Sequence, residues 1–265
     1  MTETELLFTE ILSCDRLSLY QKRMQALDKD KLFYVSSVLK RRLNGEPIHY
    51  ILGKAEFMGF EFKLTCDVLI PRPETEILVE TVIRLAARSP SPSILDLGTG
   101  SGCIAVSLAK FLPAAKISAS DISQKALDVA EYNAALNKVN GKIKFFNSDL
   151  FSFGLPQADC YDFIVSNPPY IPSQEIEKLQ PEIQYEPRIA LDGGNDGLDF
   201  YRRIAASAAQ HLKQDGILFL EIGFGQLQNL KNIFQNQLNF EIIEVVKDYN
   251  NIDRVIVLQR ILKNG

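Results

Sequence analysis

The chain has 265 residues, of which 46% are hydrophobic and 23% charged, the balance of a soluble globular protein with one large domain, or one domain plus a small one. A formal net charge of −4 argues against a protein that grips nucleic acid over a wide basic surface. No apolar run approaches the roughly 20 residues needed to span a bilayer. Cys14, Cys66, Cys103 and Cys160 form no CxxC pair, and His49 and His211 are too few and too far apart for a cluster. No metal site is expected, and the thiols are read as reduced. The acidic start, Met1-Thr2-Glu3-Thr4-Glu5, shows no signal peptide, so a cytoplasmic protein that does not engage a membrane is expected.

Residues 1–54 read as a small bundle of short helices, because apolar residues recur at helical spacing in Leu6, Leu7, Ile11 and Leu12 and again in Leu32, Val35, Val38, Leu39 and Leu43. The run Lys40-Arg41-Arg42 fits a solvated helix face or a helix carboxyl end better than a docking patch. Gly45 to Gly53 is punctuated by turn residues. Within residues 55–72, Glu56 to Leu64 alternates around Gly59 and reads as a β-hairpin joining two domains. Residues 73–265 form the second domain, opened by a helix from Pro73, whose ring suits a first turn, to about Arg88. Arg72, just before it, is a linker residue or lies at a ligand's mouth.

After the linker 89–93 the pattern becomes strand, helix, strand, helix. Strands are expected at 93–97, 116–120, 142–146, 161–166, 216–222, 241–246 and 254–259, with helices at 102–111, 123–137, 200–213 and 226–237. Such alternation implies an α/β fold with a doubly wound, mostly parallel sheet.

The turn after the first of these strands is Asp96-Leu97-Gly98-Thr99-Gly100-Ser101-Gly102. Its glycines let the backbone turn tightly and let a ligand come close. A dinucleotide fingerprint wants G-x-G-x-x-G, and position 103 is Cys. An acid heading x-G-x-G-x-G better fits the amino-acid end of S-adenosylmethionine, whose ammonium Asp96 can attract beside Leu97, Gly98, Thr99 and Gly100. Asp121, which ends the second strand, stands where a carboxylate accepts both ribose hydroxyls. Asp149 follows the third and can reach the adenine amine, with Leu150 packing on the ring. The bland alternatives are a tight turn for the glycines and helix caps for the acids.

Ser166-Asn167-Pro168-Pro169-Tyr170 ends the apolar strand 161–166, where two prolines halt the ladder. Ligands of open α/β sheets bind at that edge. These residues suit the holding of a planar C–NH2 group: the Asn167 side-chain carbonyl and the Pro168 backbone carbonyl accept its two N–H bonds, Pro169 adds rigidity, and the Tyr170 ring stacks on the plane. The bland alternative is a proline-terminated turn.

Asn167-Pro168-Pro169-Tyr170 after this glycine turn resembles the adenosylmethionine-dependent amino-methyltransferases, Asn167 then also bordering the cofactor. The flanks Gly45-x-Pro47-x-x-Tyr50-Ile51-x-Gly53, Ile70 to Glu76, Glu186-Pro187-x-x-Ala190-Leu191 and Asp253-Arg254-Val255 resemble the release-factor glutamine methyltransferase family (PrmC/HemK type) over nearly the whole chain. The resemblance implies a Rossmann-like methyltransferase domain with an antiparallel last strand. It also implies methylation at N5 of the glutamine in the Gly-Gly-Gln loop of peptide chain release factors, by a monomer with no direct nucleic-acid partner. Leu150 stands where the family can carry tryptophan. The alternative, a nucleic-acid amino-methyltransferase acting on adenine N6 or guanine N2, would need a basic groove to hold a flipped base; a cofactor-binding adaptor without turnover would not need Asn167 to Tyr170.

Overall fold

The computed structural model describes residues 2–22, 24–152, 161–237 and 239–262. Cys160, one of the four thiols read from the sequence, lies outside them, while Cys14, Cys66 and Cys103 are free thiols. Four short helices come first: α1 (Glu3–Ile11), α2 (Arg16–Gln21), α3 (Lys29–Leu43) and α4 (Ile48–Leu52). Thr2, Asp15 and Asp28 cap the first three, each side chain accepting a backbone N–H of the opening turn. Their shared core is small: Leu7, Val38, Ile48 and Ile51. The turn-rich stretch after Gly45 is in fact a helix, α4, which starts behind Pro47 and ends at Gly53 in a left-handed cap.

Strands β1 (Lys54–Phe57) and β2 (Phe60–Lys63) form the expected antiparallel hairpin around Met58-Gly59. Helix α5 (Pro73–Ala86) follows, with Pro73 at its start and Glu74 and Glu76 in its first turn, and it ends two residues short of Arg88. Seven more strands make one sheet: β3 (Ser93–Leu97), β4 (Lys116–Asp121), β5 (Ile143–Asn147), β6 (Tyr161–Ser166), β7 (Leu212–Glu221), β8 (Phe240–Lys247) and β9 (Asp253–Arg260). The order is β5-β4-β3-β6-β7-β9-β8; pairs on the β5-to-β7 side are parallel, and β9 runs antiparallel to both neighbours. The doubly wound, mostly parallel architecture read from the sequence is the observed one.

Helices cover both faces. Leu78, Val79, Val82 and Ala86 of α5 pack with Ile104 and Leu108 of α6 (Cys103–Phe111) on the face that carries Ile94, Phe163, Phe219 and Val257. Tyr201, Ile204 and Ala208 of α8 (Asp199–His211) and Leu230 and Phe234 of α9 (Leu227–Gln237) cover the face that carries Leu95, Ile164, Leu218 and Ile256. Successive strand residues alternate between the faces, as the pleat requires. Helix α8 stops at His211, so Leu212 and Lys213 belong to β7 rather than to the helix; Leu212 is fully buried and pairs with Tyr161. Helix α7 (Gln124–Leu136) carries Asn133, a wholly buried amide that joins the hairpin to the glycine turn: it accepts the Lys63 N–H at 2.7 Å and donates to the Lys63 and Ser101 carbonyls.

Three single-turn 3-10 helices, Ile176–Lys178, Ile183–Tyr185 and Arg188–Ala190, lie between β6 and α8. They meet the N-terminal helices through Arg42, which pairs with Glu3 and, at 2.9 Å, with Glu182. Arg41 pairs with Glu46, so Lys40-Arg41-Arg42, although in the last turn of α3, is not simply a solvated face.

Candidate active site

A cleft with about 750 Å3 of empty space, open to solvent, lies at the carboxyl ends of β3, β4, β5 and β6. That is where strand order reverses, β4 and β5 extending one way from β3 and β6 the other. Its wall brings together Leu97, Gly98, Gly100, Asp121, Asp149, Leu150, Asn167, Pro168 and Pro169, nine residues singled out from the sequence. Asp96, Thr99 and Tyr170 are not on it. Asp96 and Thr99 are buried beneath the glycine turn, and Tyr170 is half-buried with its side chain against the core that underlies α8.

Gly98 and Gly100 have φ of +70° and +54°, and a Cβ on either would point into open space. Their backbone conformation, rather than crowding, therefore selects glycine. Asp96 Oδ2 accepts the Thr99 hydroxyl at 2.6 Å, while Oδ1 lacks a well-formed hydrogen bond. Burial pushes the Asp96 carboxyl up to about 7, against the pull of Thr99 and of the Ala105 backbone N–H. Asp121 accepts the Gly100 N–H on one oxygen and the Ser123 N–H on the other, each at 2.9 Å. Burial raises its pKa despite these bonds. Each oxygen keeps a second lone pair for a ligand. Asp149 gives one oxygen to Arg203 at 2.7 Å, and Leu150 beside it has φ of +52°.

Asn167 continues β6 beyond Ser166. Its side-chain amide donates to Thr75 Oγ1 at 3.1 Å, and Thr75 donates to Glu221 Oε2 at 2.7 Å. Glu221 ends β7, is 1% exposed, and is pushed by burial up to about 7, against the pull of Thr75, Arg254 and Asn167 itself. The loop after Tyr170 is pinned by Gln226, which donates to the Tyr170 carbonyl at 2.9 Å and accepts the Gly223 N–H. Burial pushes the Tyr170 phenol up to about 12.

Several wall residues were not singled out in the sequence: Asp67, Val68 and Leu69 from the link between hairpin and α5, Ile189 of the third 3-10 turn, and Phe200 of α8. Thr75 and Glu221 were not marked as site residues either, although Thr75 falls within the flank Ile70 to Glu76 that carries part of the resemblance. Arg72 is an ion-pair partner rather than a free linker residue: its guanidinium meets the Glu186 carboxylate, whose side chain is 2% exposed and which also accepts the Ile70 N–H at 3.1 Å. Among the described residues no group of three or more His, Cys, Asp or Glu side chains could hold a metal ion, and no helix is long and apolar enough to cross a membrane.

A doubly wound sheet with a glycine turn, two acids and Asn167-Pro168-Pro169 at one cleft is the arrangement of a methyltransferase, and residues 73–184 match the family description "Methyltransferase small domain". Residues 1–53 match the "PrmC N-terminal domain". A release factor glutamine methyltransferase from Geobacter sulfurreducens is 43% identical, the alignment covering 96% of this chain and 87% of that protein. One from Thermodesulfovibrio yellowstonii is 42% identical over 97% of this chain and 92% of that one. The chain belongs to the release factor glutamine methyltransferase family. The fold alone is shared more widely: the hMettl16 catalytic domain, solved in complex with the MAT2A 3'UTR hairpin 1, superposes with a TM-score of 0.61 at 17% identity over 88% of this chain and 91% of that one.

Proposed function

We propose that the chain transfers a methyl group from S-adenosylmethionine to the side-chain amide nitrogen, N5, of the glutamine in the Gly-Gly-Gln loop of peptide chain release factors. We place this activity in the cytoplasm, in a monomer that contacts no nucleic acid directly. The observation that carries the reading is Asn167-Pro168-Pro169 on the same cleft wall as Gly98, Gly100 and Asp121, in a chain about 40% identical along its length to proteins named for that activity.

The residues present fit the methyl donor. Asp96 has an unsatisfied buried oxygen beneath a turn whose glycines face open space, which suits an ammonium group held at the turn. Asp121 has lone pairs left for ribose hydroxyls, and Asp149 and Leu150 offer a polar edge and an apolar wall for adenine. When bound, the donor supplies a sulfonium methyl, a good electrophile that leaves its bonding electron pair on sulfur.

What remains is the acceptor. A carboxamide nitrogen is a weak nucleophile because its lone pair is delocalised. Asn167 Oδ1 and the Pro168 carbonyl accept its two N–H bonds and aim the nitrogen into the cleft, and the nitrogen's electron pair forms the new N–C bond as the C–S bond breaks. Once cationic, the nitrogen sheds a proton to solvent without a strong base. Asn167 also stands at the boundary between donor and acceptor. The Tyr170 ring sits behind this segment in the core, so a stacking role requires the side chain to turn toward the cleft when the glutamine loop enters.

Incubating the protein with purified release factor and adenosylmethionine, followed by peptide mass spectrometry, tests the reading. One methyl group on the loop glutamine is expected. Transfer to adenine or guanine in nucleic acid instead would replace it.

A further inference from the structure

Asn167 can serve an amide substrate only if its carbonyl oxygen, not its NH2 group, faces the cleft, because both N–H bonds of the substrate need acceptors. Nothing in an isolated asparagine fixes that choice, since the two ends of the amide are nearly the same size. The environment of Asn167 does fix it. Thr75 sits in the first turn of α5, 3% exposed, and Glu221 at the end of β7, 1% exposed. An ionised carboxylate only accepts, so the Thr75 proton points at Glu221 Oε2, 2.7 Å away. The Thr75 lone pairs then face Asn167 and accept its Nδ2 at 3.1 Å. Oδ1 is the end left for the cleft that Asn167 lines.

We propose that Thr75 and Glu221 form a positioning relay that sets the direction of the Asn167 amide, so that its carbonyl faces the substrate. The proposal rests on the reading of Asn167 as an acceptor for the glutamine amide. Neither residue touches the reacting atoms. Three separate elements, α5, β6 and β7, supply the relay, and the residues are 92 and 146 positions apart along the chain.

The relay has a protonation state. If Glu221 takes up a proton, its O–H can donate to Thr75, the Thr75 hydroxyl can turn to donate toward Asn167, and the amide is then held with NH2 toward the cleft. Other titratable or charged groups around Glu221 are Glu74 in α5, Arg254 on β9, Tyr170 after β6, Tyr201 of α8 and Cys103 of α6. Burial holds the two tyrosines and the cysteine well above their ordinary values, and Arg254 stays charged, paired with Asp248. Glu221, held up to about 7 by its burial, is thus the relay member able to change charge near neutral pH.

The test compares Thr75→Val, which keeps the shape and loses the hydroxyl, with Thr75→Ser, which restores it, and with Asn167→Ala, all on release factor. Thr75→Val is expected to lower kcat by at least about tenfold, since misorientation at the reacting group is costly, while adenosylmethionine affinity stays within about twofold. Thr75→Ser is expected to regain most of that loss. At saturating donor, wild-type kcat should fall as pH drops below about 7, and Glu221→Gln, which has no carboxyl proton to gain or lose, should lose that acid limb. Near wild-type turnover in Thr75→Val, with Asn167→Ala impaired, overturns the relay and leaves the amide reading standing. Full turnover in Asn167→Ala overturns the amide reading itself. Should Thr75→Val not fold, the pH profile decides: a flat wild-type profile, or the same limb in Glu221→Gln, overturns the relay.

Discussion

The two halves of the cleft are built differently. The half at β3 and β4 is compact: Asp96, Thr99, Gly98 and Gly100 come from one turn, which the end of β4 closes, the Ser120 carbonyl accepting the Gly98 and Thr99 N–H groups and Asp121 accepting the Gly100 N–H. The half at β6 and β7 is assembled from afar: the Asn167 amide donates to Thr75, and Thr75 to Glu221, each on another element. On the proposed function, glycine dihedrals and strand-end acids cradle the donor, whereas aiming a carboxamide takes side chains that agree on hydrogen-bond direction. Damage to the first half should therefore appear in binding and damage to the second in turnover.

The largest effect expected is that of Asn167→Ala. It leaves a substrate N–H unpaired in a partly dry site, about 1–3 kcal/mol, and misorientation adds to this. Turnover on release factor should drop by roughly 10²-fold or more, with donor affinity changing far less; steady-state kinetics and calorimetric titration read the two. An equal loss of both would erase the distinction between the halves. Asp121→Ala should do the reverse, weakening adenosylmethionine more than about tenfold by removing charge-assisted hydrogen bonds of about 1.5–3 kcal/mol each. Unchanged affinity in a folded variant would mean the ribose is held elsewhere.

A smaller effect is expected where the link before α5 meets the 3-10 segment. Arg72→Ala strands the Glu186 carboxylate, buried at 2% exposure beside the Ile70 N–H. The guanidinium is a third exposed, so the cost is discounted to about 1–3 kcal/mol, a few degrees of melting temperature in a chain of this size. An unchanged melting curve would show that the pair adds nothing. Smallest is a pH effect. The Asp96 carboxyl is pushed by burial up to about 7 from 3.8, so the folded chain binds a proton that the unfolded chain has released. That contribution is fully present below the unfolded value and is lost as pH rises from about 4 through about 7. In the donor-free protein, Asp96→Asn should flatten the fall of melting temperature over that window; a slope identical to wild type would contradict the burial account of Asp96.

Nearly the whole sheet was legible in the sequence, because buried strands are short apolar runs and the helices between them carry a 3.6-residue period. The misreadings were local. Gly45 to Gly53 hides a five-residue helix too short to show a period, and Leu212 looked like the end of α8 because an apolar residue at a helix end also suits the start of a buried strand. The half proposed to hold the donor was legible because each of its parts closes a readable strand: the glycine turn after β3, Asp121 at the end of β4 and Asp149 after β5. Thr75 and Glu221 were not: a threonine in a helix's first turn reads as ordinary, and an acid closing a strand reads as a solvent-facing end until the fold buries it against α5. The contribution of Asp67, Val68 and Leu69 was hidden for the same reason, since only tertiary packing brings that link over the cleft.

The most direct test of the account is methyl transfer by wild type and by Asn167→Ala to intact release factor and to free glutamine, read by mass spectrometry under identical donor concentrations. The account predicts one methyl group on the amide nitrogen of the Gly-Gly-Gln glutamine with wild type, very little with Asn167→Ala, and very little on free glutamine, whose reacting group is too small to orient itself without remote contacts. Methylation of release factor by Asn167→Ala at the wild-type rate, or equal rates on free glutamine and on the intact factor, would contradict it.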